Sequence, residues 1–282
     1  MQDPRNAELD EAAARALDAV AREELADAAV PAFLLRRYLD TEGAELRDAL
    51  GLALAQSLAL AGGDATVIGR AAWLTLLVEA TAVADDDRIL PAAEGLIAAL
   101  RAAWPAQTRI DDVCASVEAC LRAAEIVEPD ALVQDAIDHL ERVIGGGYRP
   151  GDGLVRDRDG IRVRCGAGDH VRGASALLTA FELTGRLPYS MLAEELIAIV
   201  MREPPPGGDL VIACETARVL CRLAALHDDP GYRGAAVVAT GADYRAEAAR
   251  ILAGQSARAR AGTASAAAAY GLALGELLRH VR

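Results

Sequence analysis

Lysine is absent from this 282-residue chain, so all 29 of its fixed side-chain cations are arginines. That absence reads as the codon bias of a GC-rich genome and carries no functional signal. Aromatic residues are scarce, with two Phe, two Trp and six Tyr. A core must then be built from Ala and Leu, whose small volumes bring helices close together. The five cysteines, Cys114, Cys120, Cys165, Cys214 and Cys221, include no CxxC pair. Four of them fall in apolar helical stripes, the pattern of buried free thiols in a reducing compartment rather than of a disulfide framework or a zinc site. The N-terminus, MQDPRNAELDEAAARAL, lacks the basic and apolar regions of a secretory signal. The longest apolar stretch, 49–61, is too short for a bilayer and carries Gln56 and Ser57. A cytoplasmic protein without membrane contact is expected. Cations are also in deficit: 42 acids give a net charge of −13, which excludes nonspecific nucleic-acid binding driven by phosphate neutralisation. Nothing in the residue pattern calls for a cofactor or a metal ion.

What the chain does have is a repeated pair of helices. Residues 169–200 read DHVRGASALLTAFELTGRLPYSMLAEELIAIV. Apolar positions recur at three- and four-residue steps, the period of a helical stripe. Gly185 and Pro188 punctuate the stretch as the end of one helix and the start of the next. Counting from Leu183, Tyr189 follows six residues on and Ala193 four further. The same steps run through Val83, Ile89 and Ala93, through Ile126, Leu132 and Ala136, and through Leu226, Tyr232 and Ala236. The repeat starts are 43, 57 and 43 residues apart, and the longer interval holds a Gly-rich insertion at 145–168. A hairpin of this kind cannot bury its apolar side alone and stacks on its neighbours, as in arrays with a period of ~40–47 residues.

The flanks are less regular. Residues 7–29 are expected to form an Ala-rich helix, 32–39 a short one, and 45–60 a deeply buried one because apolar residues surround it. Within the insertion, 154–164 reads as a short β-hairpin turning at Asp159-Gly160. A turn or extended piece is expected at 237–241, with Asp243 capping the helix that follows. The stiff connector Glu203–Gly208 joins two pairs. The expectation is an all-α domain spanning 1–282, its hairpin register clearest over 66–282.

Two segments, LLTAFELTGRLPYSMLAEELI and ARVLCRLAALHDDPGYRGAA, resemble the hairpins of six-hairpin (α/α)6 toroids. They look most like the N-acylglucosamine 2-epimerase-like toroid, particularly the version that follows a thioredoxin-like domain. The resemblance implies a closed ring. Members of that superfamily act as sugar epimerases or glycoside hydrolases, or have no assigned role. Epimerases of this type present His inside the ring, and here only His170 starts an inner helix.

Link lengths place a site. Links within pairs are short, and links between pairs are longer, at 101–109, 145–168 and 203–208. In a toroid the long links surround the N-termini of the inner helices, where free N–H groups favour a polar ligand. Asp169 is read as a helix N-cap or as a general acid or base with His170 beside it, and Asp112 as a second carboxylate facing it. Tyr148, Arg149, Arg162, Arg164 and Glu215 are candidate ligand contacts. A small polar, carbohydrate-like molecule is the expected partner. The alternatives are a noncatalytic helical scaffold for a protein partner and, through Asp85-Asp86-Asp87, an isoprenoid enzyme. The last is disfavoured because the spacing departs from DDxxD and the triplet falls on the short-link rim.

Overall fold

The computed structural model describes residues 4–63, 66–124, 126–127, 129–158, 161–202, 208–236 and 241–279. The expected turn at Asp159-Gly160, most of the connector at 203–208 and the piece at 237–240 lie outside them. Thirteen α-helices account for most of the rest: α1 (Pro4–Ala21), α2 (Ala29–Thr41), α3 (Ala44–Leu60), α4 (Val67–Ala80), α5 (Ile89–Ala103), α6 (Ile110–Ala123), α7 (Pro129–Gly147), α8 (Ala167–Thr184), α9 (Leu187–Arg202), α10 (Leu210–Asp228), α11 (Pro230–Ala235), α12 (Tyr244–Ala261) and α13 (Ala264–Arg279). A three-stranded antiparallel sheet, β1 (Tyr148–Arg149), β2 (Gly153–Arg158) and β3 (Ile161–Arg164), fills the insertion.

The helices form two concentric layers. Within the inner layer α4 packs on α6, α6 on α8, α8 on α10, α10 on α13, α13 on α2, and α2 on α4. That sequence of neighbours closes on itself, so the molecule is an (α/α) toroid. Around it α5, α7, α9 and α12 each bridge two inner helices, and α1 lies against α13 and α2. Chain ends therefore meet. Glu8 accepts from Tyr270 Oη at 2.5 Å and from Ser256 Oγ at 2.9 Å. Arg15 donates to the carbonyls of Ala259 and Arg260 at 2.9 and 3.0 Å.

Local chemistry sets the breaks. Gly185 sits at φ 67° after α8 and returns its N–H to the Phe181 carbonyl at 2.7 Å, a left-handed cap that suits glycine. Thr66, Asp209 and Asp243 each accept a backbone N–H at the start of α4, α10 and α12. In the short link before α5, Asp86 accepts the Arg88 N–H at 3.0 Å and pairs with its guanidinium, so the middle residue of the Asp triplet serves the turn.

Three expectations at the N-terminal flank change. The first helix ends at Ala21 rather than near 29, and the second runs from Ala29 to Thr41 rather than 32–39. The third, α3, is not deeply buried: Leu52 is 59 % exposed and Leu60 41 %. An outer-layer helix meets the ring on one face only, and here that face is Leu50, Ala53, Leu54 and Ser57. Among the described residues no helix is long and apolar enough to cross a membrane.

Candidate functional site

The inner helices turn their apolar residues outward, into the seam between layers, and a polar stripe inward. On α8 the stripe is Arg172, Ser175, Thr179 and Glu182; on α6 it is Asp112, Ala115, Glu118 and Arg122; on α10 it is Glu215, Arg218 and Arg222. Each stripe follows helical spacing between fully buried neighbours. Ala72, on the same stripe of α4 as Thr75 and Glu79, is exposed although its helix belongs to the inner layer. Arg218 keeps 44 % of its side-chain surface. These residues face an internal space, not a packed core.

Ion pairs knit the deeper part of that space. Glu118 Oε1 accepts from Arg122 at 2.9 Å, Ser175 Oγ at 2.9 Å and Arg222 at 3.4 Å. Arg222 continues to Glu182 at 3.0 Å, Arg218 pairs with Glu276 at 3.0 Å, and Arg279 with Asp40 at 3.2 Å. Burial alone would raise the Glu118 carboxyl; the Arg122 and Arg222 charges outweigh it and hold the group at about 2.

Carboxyls gather at the mouth, where α6, α8 and α10 begin. Asp111 pairs with Arg109 at 2.6 Å and lies 3.5 Å from Arg172, which also reaches Glu215 at 3.1 Å. Burial pushes Asp111 up, but its bond to Arg109, the Arg109 charge and Arg172 pull it below the ordinary carboxylate range. Its sequence neighbour Asp112 goes the other way. Burial and then the negative charge of Asp111 raise it, against the pulls of Arg109 and Arg172 and with a smaller push from Asp169. Glu215 is likewise raised, first by burial, with Arg172 opposing. Two adjacent carboxyls thus differ in proton affinity, the division of labour that acid–base catalysis uses.

Asp169 joins this group, but not as the N-cap of α8. The N-cap is Gly166, and Asp169, three residues on, closes a capping box by accepting the Gly166 N–H at 3.0 Å. Its other oxygen accepts the Asp111 N–H at 3.3 Å, tying the start of α8 to the start of α6. His170 points away from this role. It is 1 % exposed, its Nε2 accepts the Leu154 N–H at 3.0 Å, and its Nδ1 lies 2.8 Å from the Gly166 carbonyl. Nε2 thus pins β2 to α8, and Nδ1 is taken up by the N-cap of α8 itself.

The remaining expected ligand contacts separate from the mouth. The Tyr148 hydroxyl bonds Glu195 of the outer helix α9, and burial followed by that carboxylate pushes it up to about 12. Arg149 donates to the carbonyl of Tyr148. Arg162 and Arg164 lie on β3, all of whose residues are exposed, with Arg164 3.7 Å from Asp152. Of the eight expected residues, Asp112, Asp169 and Glu215 converge. Arg172 and Glu118 were missed, although the run Arg172, Ser175, Thr179, Glu182 is a polar stripe in an otherwise apolar helix. Among the described residues no group of three or more His, Cys, Asp or Glu is placed to hold a metal ion.

A closed ring of paired helices in two layers defines the architectural class, and solved structures share that fold. An α-1,6-mannanase from Salegentibacter sp. HEL1_6 aligns with a TM-score of 0.65 and 11 % identity, over 90 % of this chain and 88 % of that one. A variant of that mannanase, inactive after replacement of two neighbouring aspartates and bound to α-1,6-mannotetrose, aligns with a TM-score of 0.66, 11 % identity and the same coverage. The unsaturated glucuronyl hydrolase of Bacillus sp. GL1, responsible for the degradation of glycosaminoglycan, aligns with a TM-score of 0.70 and 14 % identity over 97 % of each chain. No protein-family model and no curated protein matches the chain.

Proposed function

We propose that the chain, as one toroid domain, acts on a small carbohydrate-like molecule at the mouth of the lumen by acid–base chemistry between carboxyls. The observation that carries this reading is the meeting of Asp111, Asp169 and Glu215 at the mouth, through the Asp111 N–H to Asp169 bond of 3.3 Å and through Arg172, with Asp112 beside them in the first turn of α6; the opposed proton affinities of Asp111 and Asp112 fit it. Asp112, raised, is the proton donor. Asp169 is the facing carboxylate that receives a proton from water or a sugar hydroxyl. Asp111, held ionised by Arg109 and Arg172, keeps the negative field that stabilises developing positive charge at a sugar ring. Glu215 lies within reach of the same Arg172 and contacts the ligand. The toroid neighbours support the choice of ligand, and the mannanase inactivated at two neighbouring aspartates parallels Asp111-Asp112.

The finer likeness to the 2-epimerase toroid needs a free imidazole in the lumen. His170 has none to offer, so carboxyl chemistry is the better reading. Five free buried cysteines support a reducing compartment. A second reading, a scaffold for a protein partner, draws on the exposed Leu52 and Leu60 of α3.

The test is turnover of α-1,6-mannotetrose and of an oligosaccharide ending in an unsaturated glucuronyl residue, followed by mass spectrometry. Cleavage of either, reduced by about a hundredfold or more in Asp112→Asn, supports the enzyme. Turnover of neither, with a partner captured through α3 and lost in Leu52→Arg, supports the scaffold.

A further inference from the structure

The wall of the lumen differs from one side of the ring to the other. Arg218 on α10 pairs with Glu276 on α13 at 3.0 Å, and the charge of Glu79 on α4 also acts on it, so these stripes face one space. Asp40 on α2 joins them through Arg279 at 3.2 Å. Helical steps from these ion pairs toward the mouth pick out what lies above them. On α13 the steps reach Leu272 and Ala269, on α4 Ala72 and Ile68, and on α2 Ala32. On α10 they pass Glu215 and end at Val211.

All six keep accessible surface. Ala72 is exposed, Val211 is 42 % exposed, and the other four are half-buried, whereas Ala71 and Trp73 beside Ala72, and Gly271 and Ala273 beside Leu272, are buried. Across the lumen from this arc of hydrocarbon, α6, α8 and α10 present Asp112, Arg172 and Glu215. The arc itself has little to offer a polar group. Thr75 Oγ1 is turned back on the Ala71 carbonyl at 3.0 Å, and the other hydroxyl on these stripes among the described residues is Ser265, in the first turn of α13.

The two arcs ask for different things from one ligand. Sugar hydroxyls set against Ala, Val, Ile and Leu carbons lose their water and gain no partner, while an apolar group gains by leaving water there. Among the described residues these stripes carry no aromatic ring, so a second sugar finds no flat face to lie on. We propose that the ligand is a glycoside with an apolar aglycone, its sugar among Asp112, Asp169, Arg172 and Glu215 and its aglycone against Ala72, Ala269, Leu272 and Val211. This rests on the carboxyl reading of the mouth and narrows it from carbohydrates in general to sugars carrying a hydrocarbon group.

Calorimetry on the full chain with methyl and phenyl α-mannosides, and with the same pair of glucuronides, tests this. For the sugar that binds, the phenyl glycoside should bind about tenfold or more tighter than the methyl one, from burial of part of the ring. Ala72→Asn and Val211→Asn change exposed positions and leave the fold intact. Each should weaken that preference and leave the affinity for the methyl glycoside unchanged. Equal affinities for the two glycosides, or a phenyl preference that survives both replacements, overturn the proposal and leave the carboxyl reading standing. A phenyl preference lost in both, in a protein that hydrolyses neither glycoside, upholds the apolar wall and removes the catalysis instead. No binding of any of the four up to about 10 mM overturns both.

Discussion

Arg222 on α10 reaches Glu118 on α6 past the intervening α8, its NH1 3.4 Å from Oε1, while the same guanidinium bonds the Ser175 and Thr179 hydroxyls of α8 at 3.0 and 2.9 Å. Three neighbouring inner helices are therefore joined through one carboxylate. The apolar seam holds each inner helix to the outer layer, but this network sets the inner helices against one another and fills the lower lumen.

Glu118→Gln should expose how much the network contributes. It leaves Arg122 and Arg222 facing a neutral amide, and breaking a buried pair by removing one partner costs about 3–5 kcal/mol. The pH dependence follows from the carboxyl being held at about 2. A carboxyl depressed on folding stabilises the fold fully above its unfolded value of about 4.3 and loses that contribution as pH falls through the folded value. Urea unfolding of both proteins from pH 7 to pH 2 should show the gap between them closing below about pH 4. A constant gap would mean that packing rather than charge makes the difference.

Asp112→Asn should act oppositely on stability and activity. A carboxyl raised on folding binds its proton more tightly in the fold, so its contribution is present at low pH and lost as pH rises through the folded value. Once pH exceeds its folded value, the ionised Asp112 is a burden set by burial and by Asp111 and Asp169. Replacement by neutral Asn is expected to raise the melting temperature at pH 7 and to leave it unchanged near pH 3. In the wild type, turnover should fall on the alkaline side as Asp112 deprotonates, and Asn should abolish that limb along with the rate. A melting temperature lowered at pH 7 would contradict the crowding of carboxyls at the mouth.

Gly153 shows why the β insertion cannot drift. Its φ is +76°, and a Cβ there would stand 2.5 Å from His170 Nε2 and 2.5 Å from Ile199 Cδ1. Gly153→Ala is expected to cost more than about 2 kcal/mol through backbone strain and overpacking together. Amide exchange at Leu154, whose N–H the imidazole accepts, should accelerate with it. Unchanged protection of that amide would mean that the strand does not depend on His170.

How far such features can be read from residues depends on what each position packs against. The register at Val83, Ile126, Leu183 and Leu226 located the ends of α4, α6, α8 and α10 because leucine stripes there have one apolar neighbour layer and one polar lumen. In α3 the run ALGLALAQSLAL has no distinct face, so composition suggested burial while the helix in fact occupies the outer layer. Asp112, Asp169 and Glu215 were legible because helix N-termini mark the mouth. Arg172 was not, since an arginine within an apolar helix reads the same whether it faces solvent or a lumen. His170 looked catalytic from its place beside Asp169. Only the approach of Leu154 across 16 residues reveals that its ring nitrogens are taken.

A last prediction concerns the irregular stretch between α10 and α12. Glu194 on α9 is 2 % exposed and collects three donors, His227 Nε2 at 2.6 Å, Tyr232 Oη at 3.1 Å and Tyr244 Oη at 3.2 Å. These come from the end of α10, from α11 and from the first turn of α12, so one carboxyl gathers the elements on which the chain turns toward its last pair. Aromatic edges add to it: Tyr232 meets Phe181 at 5.7 Å and His227 meets Tyr244 at 5.0 Å. Glu194→Ala removes the shared acceptor and strands the buried Tyr232 and Tyr244 hydroxyls and the half-buried His227, a buried donor being worth about 1–3 kcal/mol when unpaired. Relaxation will recover part of that sum, and a net loss of about 3–5 kcal/mol in urea unfolding is expected. Glu194→Gln, which keeps one carbonyl oxygen, should lose less. Hydrogen exchange should locate the damage at 241–248, because α12 bridges α10 and α13 and among the described residues has no other buried polar tie at its start, while α6 and α8 on the far side keep their protection. If exchange instead rises evenly around the ring, the toroid opens as a single unit and Glu194 is only one of many equal contacts.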